Sequence, residues 1–130
     1  MNKSQKPLKV MIVEDDEDIL TLYSDYLSNK GYRVVAHYTR GNNIKEDLET
    51  DPPDVFLINN LLPGKKSGVD VATEILDIYP DAPIQFITAD YEQPQKIEKN
   101  PVFRNKKVDV LLKPVKLHEI EHSILNLVNK

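Results

Sequence analysis

The chain has 130 residues, no cysteine and a formal net charge of −4. Its length fits one domain that buries roughly two thirds of its unfolded surface, and without cysteine there is no disulfide framework, thiolate metal site or thiol chemistry. Acids and bases are mixed along it, which argues against a nucleic-acid-binding domain, and no apolar run is long enough for a membrane span. Residues 1–7 lack the apolar stretch of a secretory signal and read as a solvated leader to a domain over 8–130, so the cytoplasm is the expected compartment.

Leu8 to Val13 reads as the first strand, with an apolar core of Val10-Met11-Ile12-Val13, and it stops at Glu14-Asp15-Asp16. A helix follows from about Glu17 to Lys30, with Ile19, Leu20, Leu22, Tyr23, Tyr26 and Leu27 recurring at helical spacing, Asp16 as N-cap and Gly31 as the stop. Tyr32 to Tyr38, rich in β-branched and aromatic residues, is the second strand. A short helix is expected over Asn43 to Glu49, ended by Asp51-Pro52-Pro53. Val55 to Ile58 is a third strand apolar on both faces, as in a parallel sheet, and it runs into Asn59-Asn60. Val69 to Tyr79 is a helix, Ile84 to Thr88 the fourth strand, and Asp90 to Lys107 a poorly patterned segment with Pro94 and Pro101 that leaves room for one short or irregular helix. Val108 to Leu112 is the fifth strand, and Leu117 to Val128 the last helix. Five strands alternating with five helices give an α/β domain, a parallel sheet covered on both faces.

Open parallel sheets bind ligands at the carboxyl ends of their strands. Here those ends carry Glu14 and Asp15, Asn59, Thr88 and Lys113. Carboxylates beside a carbonyl-type oxygen suit a hard divalent cation such as Mg²⁺, and a hydroxyl with an ammonium suits phosphate-like oxygens. Solvation alone explains one polar strand end; four with this complementary chemistry make chance a poor account, although they name no reaction.

At these residues the chain resembles the response-regulator receiver domain, the phosphoacceptor module of two-component signalling and phosphorelays. The likeness covers roughly residues 8–129 and rests on Val10–Ile19, Pro53–Gly64, Phe86-Ile87-Thr88-Ala89 and Leu112-Lys113-Pro114, in order and at matching spacings. It implies a flavodoxin-like three-layer fold with strand order 2-1-3-4-5 and a cis Lys113–Pro114 bond. It further implies that Asp15 is a direct metal ligand, Glu14 acts on the metal through water, and the Leu61 carbonyl completes the protein's share. Lys113 would contact a phosphoryl group and Thr88 would swing toward it. The implied partners are proteins, namely a histidine kinase, a phosphotransfer protein or a downstream effector, met by a monomer or weak homodimer that contacts neither nucleic acid nor membrane.

Four departures shape the functional expectation. Asn59 stands where the family keeps its phosphoacceptor aspartate, so the carboxylate nucleophile is missing and Mg²⁺ affinity should fall. The loop from Pro63 to Gly68 is one residue longer than usual and carries Lys65 and Lys66. Val110 replaces the aromatic residue that rotates with phosphorylation. The segment Asp90 to Lys107 is unusual for the family's fourth helix. Together they describe a pseudo-receiver, an interaction module rather than an enzyme. The alternative is a working phosphoreceiver whose aspartate was deliberately replaced by Asn59; Val110 and the longer loop favour a natural origin. A remote alternative is a zinc hydrolase through His118-Glu119-Ile120-Glu121-His122, which matches H-E-x-x-H. Those histidines fall off the core stripe of Leu117, Ile120 and Ile124, no third ligand follows and no cleft is expected there, so a solvated helix face is favoured.

Overall fold

The computed structural model describes residues 7–38, 48–49, 51–59 and 67–130, with backbone alone for 36–38. Strands β1 (Lys9–Val13), β2 (Arg33–Tyr38), β3 (Val55–Asn59), β4 (Ile84–Thr88) and β5 (Val108–Leu112) form one parallel sheet in the order β2-β1-β3-β4-β5. The described helices are α1 (Glu17–Asn29), α2 (Gly68–Ile78), α3 (Gln93–Lys99) and α4 (Leu117–Val128), with a 3₁₀ turn at Pro101–Phe103. The helix expected over Asn43 to Glu49 lies mostly outside the described residues; Leu48 and Glu49 are helical, and Leu48 is buried. No helix among the described residues is long and apolar enough to cross a membrane.

Side-chain alternation along the strands builds two apolar layers. Met11, Val13, Phe56, Ile58 and Phe86 pack on one face, under Val71, Ala72 and Ile75 of α2 and Ile97 of α3. Val10, Ile12, Val55, Leu57 and Ile87 pack on the other, under Leu20, Tyr23 and Leu27 of α1 and Ile120 and Ile124 of α4. All five residues of β3 are buried, as befits a strand covered on both sides. The sheet therefore holds the carboxyl ends of β1, β3, β4 and β5 side by side, in register pairs such as Ile58–Phe86 and Thr88–Leu112.

The helix ends follow local chemistry. The Asp16 side chain accepts hydrogen bonds from the Asp18 and Ile19 amides at 2.9 and 3.2 Å, the expected N-cap. Asp16→Ala should cost about 1 kcal/mol, read as a lower urea midpoint with an unchanged slope. After α1, Gly31 takes φ +96°, the left-handed turn that favours glycine. Helix α2 starts one residue earlier than its apolar spacing suggests, because Ser67 and Asp70 form a reciprocal capping box.

A polar clasp ties α1, the start of β2 and α4. The Tyr26 and Tyr32 hydroxyls both donate to the Glu121 carboxylate, at 3.2 and 3.1 Å. Burial, with Glu121 beside it, pushes the Tyr32 hydroxyl up to about 12, and burial with the Glu14 charge does the same to Tyr23. A folded-state pKa raised above its unfolded value contributes stability that is complete below the unfolded pKa of about 10 and is lost as pH rises toward 12. The domain should thus lose stability steeply over that alkaline window. Parallel denaturation and tyrosinate-absorbance titrations check this; a flat stability through the window would refute it.

Candidate functional site

The site forms where β1 and β3 end side by side. The buried Glu14 turns its carboxylate back on the chain, so that Oε2 accepts from the Asp15 and Asp16 amides at 3.0 and 3.2 Å. Asn59, only 8% exposed, closes the β3 end. Its Nδ2 donates to Glu14 Oε2 at 2.9 Å and to Asp15 Oδ1 at 2.7 Å. An amide facing two carboxylates presents its N–H side, because its oxygen would be repelled there. One neutral side chain thus joins two acids, one of them removed from water. The Lys113 ammonium lies 3.8 Å from Glu14 Oε1. Burial is the largest influence on the Glu14 carboxyl and pushes it above the ordinary range; Asp15 adds to this, while the Asp16 amide and Lys113 pull it down.

The ends of β4 and β5 adjoin this group. Thr88 is fully buried, its Oγ1 accepting from the Asp90 amide at 3.1 Å, and its carbonyl accepts from the Lys113 amide at 2.8 Å. The Lys113–Pro114 bond is cis. Glu14, Asp15, Asn59 and Lys113 are thus brought into direct contact, with Thr88 on the neighbouring strand end. Leu61, Lys65 and Lys66 lie outside the described residues. Val110 packs against the α2–α3 layer as a partly buried side chain. Asp54 is spent at the opposite end of the sheet, where its side chain accepts from the Lys9 amide at 2.8 Å.

The profile of the response regulator receiver domain family matches residues 10–125. This chain is a member of that family. The receiver is 29% identical over 119 residues to the luminescence regulatory protein LuxO of Vibrio campbellii, covering 92% of this chain but 25% of that protein. It is 30% identical over 89 residues to the alkaline phosphatase synthesis transcriptional regulatory protein PhoP of Bacillus subtilis, covering 68% of this chain and 36% of that protein. The chain therefore spans about a third or less of these relatives' length. The signal receiver domain of a modulated diguanylate cyclase from Desulfovibrio desulfuricans superposes with a TM-score of 0.78 at 27% identity, covering 95% of this chain and 94% of that one. The flavodoxin-like receiver fold and its 2-1-3-4-5 order are as the resemblance implied.

The two histidines stand apart from this site. His118 and His122 are exposed on α4, but they border a cleft of about 390 Å³ against Asp109 and Leu111 of β5, where none was expected. It arises because β5 is an edge strand and α4 crosses beside it, which periodicity does not reveal. Among the described residues, no group of three His, Cys, Asp or Glu could hold a metal ion, so the zinc reading gains no support. Sequence reasoning also missed a buried polar pair beside that cleft. The Ser123 hydroxyl hydrogen-bonds the Gln85 side-chain oxygen, and Gln85 Nε2 donates to the Phe86 carbonyl at 2.9 Å. A glutamine inside the apolar run Ile84–Thr88 was the available signal.

Proposed function

We propose that this receiver is a regulatory protein-interaction module of a two-component or phosphorelay system whose surface is read without aspartyl phosphorylation. The observation that carries the proposal is the Asn59 amide bridging Glu14 and Asp15. Phosphoryl capture by a receiver uses a carboxylate oxygen as nucleophile. An amide nitrogen has its lone pair delocalised, and here its hydrogens are taken up by the two acids. The partners proposed are a histidine kinase, a phosphotransfer protein or a downstream effector, in the cytoplasm, and the module itself performs no catalysis.

Receiver domains typically bind Mg²⁺ at the phosphorylation site. Glu14, Asp15, Asn59 and the Leu61 carbonyl would hold it in this chain, and the cation would neutralise charge on phosphoryl oxygens. The fit is poor on one count. Glu14 Oε2 already accepts three hydrogen bonds and Asp15 Oδ1 accepts a fourth from the same amide. A hard cation would have to displace Asn59 from both acids, so the proposed affinity is weakened rather than abolished.

The alternative is a working phosphoreceiver with Asn59 in place of its native aspartate, and retention of Glu14, Asp15, Thr88 and Lys113 is what favours it. Incubation with Mg²⁺ and acetyl phosphate, followed by intact mass, tests the proposal. No added mass is expected for the chain as it stands; stoichiometric gain of one phosphoryl group would overturn the proposal. The Asn59→Asp variant tests the remaining machinery, and its phosphorylation would mean that only the nucleophile had been lost.

A further inference from the structure

Helix α3 ends after seven residues, and the chain turns at once through Pro101–Phe103. The α3 side of β5 is left incompletely covered, and a cleft of about 580 Å³ opens between them. Ile97, Phe103, Val108 and Val110 form its apolar floor. Val102, on the same turn, is 42% exposed. Lys99 and Arg104 stand on the rim, with the carboxylates of Glu98 and Asp109. Asp109 is engaged by its own strand, accepting from the Val110 amide at 2.8 Å. Residues 93–107 carry five cations and one acid, a net +4 within a chain of net −4, which leaves −8 elsewhere.

The complement of this cleft is on the same molecule. Leu22 of α1, counted with the helix's apolar residues by spacing, lies off the buried stripe of Leu20, Tyr23 and Leu27 and is 52% exposed, one of the few large apolar side chains turned to solvent. Asp18 lies four residues before it and Asp25 three residues after, so all three share one helical stripe, and both acids are exposed. An apolar anchor flanked by carboxylates faces outward from α1; an apolar floor rimmed by cations opens beside α3.

We propose that α1 of a second copy occupies this cleft, with Leu22 on the apolar floor and Asp18 and Asp25 against the Lys99–Arg104 rim. Helix α1 packs on one face of the sheet and the cleft belongs to the other, so a copy cannot fill its own. The contact is therefore head-to-tail, uses two different surfaces and leaves one of each free for the next copy. Resting on a single apolar anchor, it belongs with weak, transient interfaces, and its charge makes it salt-sensitive. The proposal is independent of whether residue 59 accepts phosphate.

Sedimentation velocity on the whole chain over a concentration series at low salt tests it. The average mass should climb with concentration and fall back when salt is added. Leu22→Asp removes the anchor, and Lys99→Glu with Arg104→Glu reverses the rim; all three positions are at the surface, and circular dichroism confirms folding. Each variant alone should associate roughly tenfold more weakly or worse. Mixed in equal amounts, the Leu22→Asp chain keeps an intact cleft and the rim-reversed chain keeps an intact anchor, so the two should associate one to one and go no further. The informative partner for Leu22→Asp is the wild-type chain, whose anchor enters the variant's intact cleft: the variant should cap wild-type assemblies and lower their average mass. A wild type that stays monomeric, variants that associate as the wild type does, or a Leu22→Asp chain that leaves wild-type assemblies unchanged would overturn the proposal. So would a monomeric wild type that binds an unrelated acidic helical peptide or a DNA duplex through Arg104.

Discussion

Asn59→Asp is expected to lower the stability of the metal-free domain by about 2–4 kcal/mol at neutral pH and to make that stability depend on Mg²⁺. The amide now donates two hydrogen bonds to carboxylates, at 2.9 and 2.7 Å. A hydrogen bond to a charged group contributes about 1.5–3 kcal/mol. The substitution removes both donors and sets a third negative charge beside Glu14, which is 2% exposed, and Asp15. Lys113, 3.8 Å from Glu14, offsets only part of that repulsion. A divalent cation would offset the rest. Urea denaturation with and without Mg²⁺ separates the two chains: the midpoint of the variant should rise with the metal and that of the parent should stay nearly fixed. Equal stabilisation of both by Mg²⁺ would contradict the bridging role of Asn59.

Phe86→Ala should cost about 3–5 kcal/mol, a large share of the roughly 5–15 kcal/mol that holds a domain of this kind together. The Phe86 ring is fully buried in β4, between the α2 layer and the turn after α3. It meets Phe103 edge to face, with ring centroids 5.7 Å apart and planes at 72°. Such a pair adds about 0.5–1.5 kcal/mol beyond its buried area. Phe103→Ala, on a partly supported turn, should cost less, and the double variant should fall short of the sum by about that coupling. Equilibrium unfolding of the two single variants and the double variant measures it; additive losses would mean that the ring contact contributes nothing of its own.

The strands were legible because burial on both faces leaves continuous apolar runs, most plainly Val55 to Ile58. Their order was not written in that periodicity; it came with the family resemblance. The residues of the site were legible as polar strand ends, since a parallel sheet must bring Glu14, Asp15, Asn59, Thr88 and Lys113 to one edge. What they do to one another was not. That Asn59 holds two acids together depends on where an amide points. The Ser67–Asp70 box had a readable signature, but Gly68 in the first turn made the start of α2 look like loop. The segment from Asp90 to Lys107 hid its content for another reason. Its apolar residues, Ile97 and Phe103, serve two different short elements, so neither forms a stripe, and the cleft they floor exists only between elements distant in sequence.

The burial of β3 also bears on how the backbone opens. With β1 and β4 as neighbours and every side chain covered, its amides have no local route to solvent, and their hydrogen exchange should require unfolding of the whole domain. The short α3 and the turn after it, beside the partly covered β5, should exchange through smaller openings. The amide-bridged end of β3 would then belong to the slowest-opening unit of the molecule, and the cleft beside α3 to one of the fastest, so that a partner could reshape the rim without disturbing the group around Asn59.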